Sequence, residues 1–324
     1  MSNLKSWAFD ESLQPRTDEV AFDLGRALDA VVLLRSEIPE DAYTGQTLGT
    51  ERVGYGVVIR ADGLLLTVGY LITEAETIWL TTNAGVVAAG HPLAYDQATG
   101  FGLVQPLGPL RAPVLERGSA RGLTVGDDLF VIGQGGRAHA LKAKLISKRE
   151  FAGYWEYLLD EALFTAPAHP QWGGAALVDK QGLLVGIGSL LVQEEIGGES
   201  IQGNMFIPID LIEPILGDLL AHGRAARAPH PWLGMHTQHM EGRLIVSGLS
   251  PRGPAERAGV QAGDLVLGVA GERTASLAAF LRKVWSLGDP GVEVPLMLAR
   301  QGDVLRLNLQ SASRGDFLKK PRLH

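Results

Sequence analysis

The chain has 324 residues, no cysteine, and a net charge of −7 from 29 basic and 36 acidic side chains. The lack of cysteine excludes disulfides, thiolate metal sites and cysteine nucleophiles. The acidic balance gives no electrostatic reason for binding to DNA, RNA or an anionic membrane. We therefore expect no nucleic-acid partner and no membrane partner, in a chain long enough for two or three domains.

The beginning of the sequence lacks the apolar core of a signal peptide. The longest uncharged apolar stretch, residues 182–192, is far shorter than the ~20 residues that span a bilayer. These two observations predict a cytoplasmic protein.

Patterns along the chain predict mostly β structure. Residues 17–34 carry apolar side chains at helical spacing behind Thr17, which predicts a helix that Thr17 caps and that runs into the first strand. From residue 53 to residue 192, short runs of Val, Ile and Leu alternate with glycine-containing turns, as in antiparallel barrels. Residues 209–229 return to helical spacing and mark a domain boundary, and residues 232–312 mix strands with two helical stretches.

Four stretches, in order, resemble the HtrA serine proteases. They are GYGVVIRADGLLLTVGYLI (54–72), AYDQATGFGLVQPL (94–107), TAPAHPQWGGAALVDKQGLLVGIGSL (165–190), and a PDZ pattern that begins with WLGM at 232. The resemblance implies a mainly β chain: a trypsin-like double antiparallel β-barrel followed by an α+β PDZ domain. The expected parts are an N-terminal segment (1–19), a trypsin-like domain (20–227), the PDZ domain (230–312) and a basic tail (313–324).

Serine proteases of this kind need a serine nucleophile, a histidine base and an aspartate that orients the histidine. The positions that match the family's histidine, aspartate and serine hold Tyr70, Gly100 and Gly173. No histidine precedes His91, so a small shift of the alignment does not restore the set. We therefore interpret the chain as a pseudoprotease and not an enzyme, with no catalytic residue, cofactor or metal. The alternative is a serine endopeptidase-type hydrolase with a displaced catalytic set.

The loop Leu233-Gly234-Met235 carries the most specific signal for binding. The resemblance implies that such a loop presents backbone N–H groups to the carboxylate of a peptide's last residue, and inward-facing amides do form anion-binding concavities. The strand that follows would take the peptide as an added strand, and Leu281 and Val284 would line the pocket for its last side chain. A surface for intramolecular docking only is the alternative.

These expectations define the function as an adaptor, scaffold or chaperone-like factor that binds proteins or peptides by their C-terminal carboxylate. The resemblance also implies a homotrimer, held through N-terminal aromatic residues such as Trp7 and Phe9. The sequence does not decide whether the PDZ domain binds in cis or in trans, or whether an oxyanion hole is preserved.

Other candidates have simpler interpretations. His169, beside Pro170, is interpreted as a loop residue rather than a substitute base. Trp172, in the matched nucleophile loop, either fills the cleft or reflects repacking of the core. Three histidines open the PDZ region: His230, His236 and His239. On a strand, His236 and His239 would face opposite sides because they are three positions apart, so the three do not predict a metal site.

Overall fold

The computed structural model of the chain describes residues 7–196, 198–240 and 242–319. Within them strands predominate over helices, so the predicted mainly β class is confirmed. The strands form two closed six-stranded barrels and one further sheet, as expected for a trypsin-like double barrel followed by a PDZ domain. None of the described helices is long and apolar enough to cross a membrane.

The first barrel closes in the spatial order β1-β2-β3-β6-β5-β4 and has two short helices beside it. The Asp62-Gly63 turn joins its second and third strands, and Gly63 supplies the left-handed backbone (φ +87°) that this turn requires. Its elements are α1 (Leu24–Asp29), β1 (Val31–Glu37), α2 (Gly45–Leu48), β2 (Glu51–Val58), β3 (Leu65–Val68), β4 (Thr77–Thr81), β5 (Val87–Tyr95) and β6 (Phe101–Pro106).

The predicted helix that runs into the first strand is present, but it begins later than expected. Helix α1 begins after Asp23, whose carboxylate accepts the N–H of Arg26, and not after Thr17. Residues 31–34 belong to strand β1, where Val31 pairs with Val57 of β2. A run of β-branched and aliphatic residues that pairs on a barrel overrides the helical spacing.

The second barrel closes in the order β10-β11-β12-β9-β8-β7. The helix that follows it is shorter than the predicted 209–229, because Gly223 takes a left-handed conformation (φ +68°) and ends it. The elements are β7 (Asp128–Ile132), β8 (Ala140–Gly153), β9 (Tyr157–Ala166), β10 (Ala176–Val178), β11 (Leu184–Ile196), β12 (Glu199–Pro208) and α3 (Glu213–His222).

The third sheet has the order β13-β14-β15-β17-β18, with β16 paired to β15. Ser276 begins its main helix, α5, by accepting the N–H of Ala279, and the helix buries its apolar face against the sheet. The elements are β13 (Met235–Met240), β14 (Arg243–Leu249), α4 (Pro254–Arg257), β15 (Leu265–Val269), β16 (Glu272–Arg273), α5 (Leu277–Trp285), β17 (Glu293–Arg300) and β18 (Asp303–Gln310).

The chain packs as two compact units. Among the described residues, the first unit contains both barrels and α3, and the second contains residues 227–318 together with Glu150–Asp160. The latter segment comes from the β8–β9 hairpin, so it packs with the PDZ fold although it lies far from that fold in chain order. The domain boundaries given above stay predictions.

Candidate functional site

The structure brings together the three positions that the resemblance aligned with the protease triad. Tyr70 lies in a 3₁₀ turn after β3, and the N–H of its neighbour Gly69 donates to the carbonyl oxygen of Gly100 at 2.7 Å. A Cβ atom built on Gly173 would lie 2.9 Å from the Tyr70 hydroxyl oxygen. The folded chain therefore brings these positions together in the first unit, at the place of the cleft of a trypsin-like enzyme.

Tyr70 is held as a structural hydrogen-bond donor in this cleft. Its hydroxyl donates to the carbonyl oxygen of Ser189 at 3.0 Å. Burial raises the pKa of this hydroxyl, although a side-chain hydrogen bond with Trp172 opposes the rise. Tyr70 therefore keeps its proton at neutral pH, and Trp172 is half buried as its partner.

Two adjacent glycines shape the loop opposite Tyr70. Gly173 accepts the N–H of Tyr55 at 2.8 Å, and Gly174 donates to the carbonyl oxygen of Gly188 at 2.8 Å. Gly174 has a left-handed backbone (φ +77°), and a Cβ atom there would lie 1.9 Å from the Tyr55 carbonyl oxygen. The loop can approach β2 this closely only because position 174 has no side chain.

His169 lies in irregular backbone between β9 and β10, yet its side chain is fully buried. Burial lowers the pKa of its imidazole to about 4, so the ring is neutral at neutral pH. Nδ1 accepts the N–H of Gln171 at 3.1 Å, so we assign the ring proton to Nε2, which lies 3.1 Å from the carbonyl oxygen of His139. Both ring nitrogens are thus engaged within the protein.

The N-terminal aromatic residues cover this histidine. The rings of Trp7 and Phe9 lie 5.4 Å and 5.1 Å from the His169 ring, and Trp7 also contacts His139 at 4.4 Å. Both aromatic side chains are half buried against their own chain. The homotrimer, and a role of these residues in it, stay predictions.

One backbone N–H group of the cleft already donates a hydrogen bond within the protein. In trypsin-like enzymes the oxyanion hole uses the N–H groups of the nucleophile residue and of the residue two positions earlier. The earlier position is Gln171 when Gly173 is taken as the nucleophile position, and its N–H points to His169 Nδ1. An oxyanion hole built from this amide would require that hydrogen bond to break.

The PDZ loop of the second unit converges on a carboxylate within this chain. The N–H groups of Leu233 and Met235 each donate to the Glu156 side chain at 2.9 Å, one to each oxygen. The N–H group of Gly234 also hydrogen-bonds to this carboxylate. Gly234 has a left-handed backbone (φ +71°), which turns the amides inward. The geometry is that of a carboxylate-binding loop with its site occupied.

Glu156 is the residue that the sequence analysis missed. It lies at the tip of the β8–β9 hairpin, and only 7% of its surface is exposed. Burial raises its pKa to about 7, while the loop amides and the charge of Arg314 act in the opposite direction. A run of aromatic residues at 154–157 marks the hairpin in the sequence, but nothing there links it to a loop almost eighty residues away.

The other predicted binding residues lie behind the loop. Leu281 and Val284 are each 1% exposed and belong to the same apolar core as Leu233 and Met235. Their role in lining a peptide pocket stays a prediction.

His236 follows the loop and has two neighbours, the ring of Tyr154 at 5.7 Å and Ser250 Oγ at 3.3 Å from Nε2. Burial lowers the pKa of its imidazole. Among residues 7–196, 198–240 and 242–319, no three His, Asp or Glu side chains group so as to hold a metal ion.

Comparisons with known proteins agree with this fold. A trypsin-like peptidase domain matches residues 54–187, and a PDZ domain matches residues 245–289. The chain is therefore a trypsin-like barrel protein with a PDZ domain. Together with the relatives below, these matches agree with the resemblance to the HtrA family.

The relatives include bacterial serine endoproteases. Serine endoprotease DegS of Haemophilus influenzae is 25% identical, with 80% of this chain and 77% of that protein covered. DegS of Escherichia coli K12 is 26% identical, with 79% and 76% covered. A probable periplasmic DegP-like endoprotease of Halomonas elongata is 25% identical, and the chain covers 54% of its length.

Solved structures of the same type share the fold. The HtrA-type protease AlgW, solved with a tripeptide, has a TM-score of 0.52 at 19% identity, with 92% of this chain and 97% of that chain covered. A serine endoprotease of Yersinia pestis has a TM-score of 0.51 at 23% identity, with 91% and 99% covered.

These comparisons correct the interpretation of the chain as a pseudoprotease that is not an enzyme. The relatives are named serine endoproteases, which points to an active protease. Several are named periplasmic proteins; the cytoplasmic placement of this chain stays a prediction.

Proposed function

We propose that this HtrA-family chain acts on polypeptides that its PDZ unit captures by a carboxylate. One observation carries the proposal: the amides of Leu233 and Met235 converge on the two oxygens of a single carboxylate. A peptide's C-terminal carboxylate has the same shape and charge, and β13 is an edge strand that can accept an added strand. Adaptor, scaffold and chaperone-like roles all use this capture step.

The test is retention of a pool of short synthetic peptides with randomised C-terminal residues on the immobilised full-length chain. We expect peptides with a free carboxyl group to be retained and the same pool with amidated ends to be lost, because an amide does not supply the second anionic oxygen. Equal retention of the two pools would contradict carboxylate capture.

A glycine substitution with a matched control localises the binding. Gly234→Ala places a Cβ atom 3.1 Å from the Trp232 ring in a left-handed backbone, so the loop must move and retention should fall. Gly259→Ala has the same kind of backbone (φ +86°) but meets no atom within 4 Å. Retention by Gly259→Ala should equal that of the unaltered chain.

Endopeptidase activity with a displaced catalytic set is the second candidate, and the names of the relatives favour it. Tyr70, Gly100 and Gly173 do not supply the serine, histidine and aspartate of the usual mechanism, so the set must lie elsewhere. Ser250 Oγ and His236 Nε2, 3.3 Å apart, are one serine–histidine pair to examine.

The test combines casein digestion with labelling by a fluorophosphonate probe and mass spectrometric mapping of the labelled serine. If the substitution Ser250→Ala abolishes labelling, Ser250 is the nucleophile. If the probe labels another serine, the catalytic set includes that serine instead. No digestion together with no labelling contradicts this candidate and leaves peptide capture as the function.

A further inference from the structure

The peptide site of the PDZ unit already holds a ligand from the same chain. We propose that the hairpin segment, Glu150–Asp160, is a built-in ligand of this site, with the Glu156 carboxylate in the place of a peptide's C-terminal carboxylate, so that external peptides bind only when the segment leaves. The inference rests on the proposed function, whose binding site it shares.

The hydrogen bonds to the hairpin segment follow the pattern of a bound peptide. Met235 and Thr237 are alternate residues of β13, and alternate N–H groups of a strand point to the same side. Met235 and the loop residue Leu233 donate to the Glu156 carboxylate, and Thr237 donates to the carbonyl oxygen of Tyr154 at 3.1 Å. One residue of the segment thus supplies the anion, and the residue two positions earlier supplies a main-chain acceptor to the edge strand.

Side chains fix the hairpin segment at both ends. Arg282 on α5 bridges them, with one nitrogen 2.5 Å from Glu150 and another 2.6 Å from Asp160. Between these ends, Ala152 and Leu158 pack against the apolar core of the unit. The side chains of these ion pairs are between 40% and 89% exposed, so solvent screens the pairs and they add little to the hold on the segment.

Two features of Glu156 disfavour the binding of the hairpin segment to the loop. Glu156 has a left-handed backbone (φ +61°), which side-chain-bearing residues rarely adopt. Its carboxylate is removed from water, which disfavours its charged form. A peptide's C-terminal carboxylate brings no such backbone strain, so it can compete for the same amides.

The site is not sealed by the hairpin segment. A cavity of about 430 Å³ remains between residues 150–155, residues 237–239 of β13 and residues 276–278 at the start of α5. An incoming peptide therefore has room to engage the groove before the Glu156 carboxylate leaves the loop.

The experiment compares retention of the free-carboxyl peptide pool by the full-length chain and by Glu156→Ala. We expect Glu156→Ala to retain the pool at least about tenfold more tightly, because a site that is open less than a tenth of the time loses that factor in apparent affinity. Glu161→Ala is the matched control: Glu161 lies just beyond the hairpin segment and pairs with Lys148 at 3.3 Å. Its retention should equal that of the unaltered chain.

The outcomes separate this proposal from the one on which it rests. Equal retention by the unaltered chain and by Glu156→Ala overturns the built-in ligand alone. Retention by no variant overturns carboxylate capture, and the built-in ligand with it. If Glu156→Ala does not fold, Glu156→Gln decides the question, because a neutral amide side chain of the same size accepts the loop N–H groups less strongly than a carboxylate and should also raise retention; unchanged retention there overturns the proposal.

Discussion

At the scale of single residues, Gly174 makes the closest approach in the cleft of the first unit. Gly174→Ala combines a left-handed backbone with a Cβ atom 1.9 Å from a carbonyl oxygen, so the loop must move away from β2. We expect it to lower the free energy of unfolding by about 3 kcal/mol or more, measured by urea denaturation. Gly85→Ala is the control, because Gly85 has a similar φ (+78°) but a Cβ atom there would meet no atom within 4 Å. It isolates the effect of the left-handed backbone and should lower the free energy of unfolding by about 1 kcal/mol. Equal decreases in the free energy of unfolding for the two variants would show that the close contact between position 174 and Tyr55 does not destabilise the fold.

His169 should make the stability of the chain depend on pH. Its pKa is about 4 when folded, below the ordinary value of 6.5, so the unfolded chain binds the proton first as the pH falls. Stability from this group is therefore present above pH 6.5 and is lost between pH 6.5 and pH 4, with a loss of about 2 kcal/mol from pH 7 to pH 5.

Urea denaturation at pH 7 and at pH 5 measures this loss. His169→Gln should show a smaller decrease between the two pH values than the unaltered chain. A decrease in His169→Gln as large as in the unaltered chain would assign the acid sensitivity to other groups.

At the scale of elements, sequence patterns were sufficient where neighbours in sequence are also neighbours in space. Short apolar runs between glycine-containing turns predicted the strands of both barrels, and α5 is one of the two helical stretches predicted within residues 232–312. The start of the first helix was mispredicted, because the carboxylate of Asp23 and not the side chain of Thr17 caps it.

Helix α3 offers a stabilising substitution. Gly217 lies in its middle, is exposed, and a Cβ atom there would meet no atom within 4 Å. Gly217→Ala should raise the free energy of unfolding by roughly 0.5–1 kcal/mol, because alanine loses less backbone entropy in a helix than glycine. Thermal or urea denaturation measures it, and a destabilised variant would contradict the assignment of this position to an exposed helix interior.

At the scale of the whole molecule, the sequence predicted the fold class but only half of the carboxylate-binding arrangement in the PDZ unit. The amide donors at Leu233, Gly234 and Met235 were predicted from the resemblance of this loop to that of PDZ domains. The carboxylate that they hold was not, because the tip of a hairpin from the second barrel's strands reaches the loop only through long-range folding. The burial of His169 could not be predicted for the same reason, since the residues that cover it, Trp7 and Phe9, are distant in the chain.

The two proposals together give the PDZ unit a peptide site whose first ligand is a segment of the same chain. The most direct measurement is amide hydrogen exchange of residues 233–237 in the full-length chain and in Glu156→Ala, with and without an excess of free-carboxyl peptides. We predict slow exchange in the unaltered chain, faster exchange in Glu156→Ala, and slow exchange again once the peptides are added. Equal exchange in both proteins, unaffected by the peptides, would contradict both the carboxylate site and its built-in ligand.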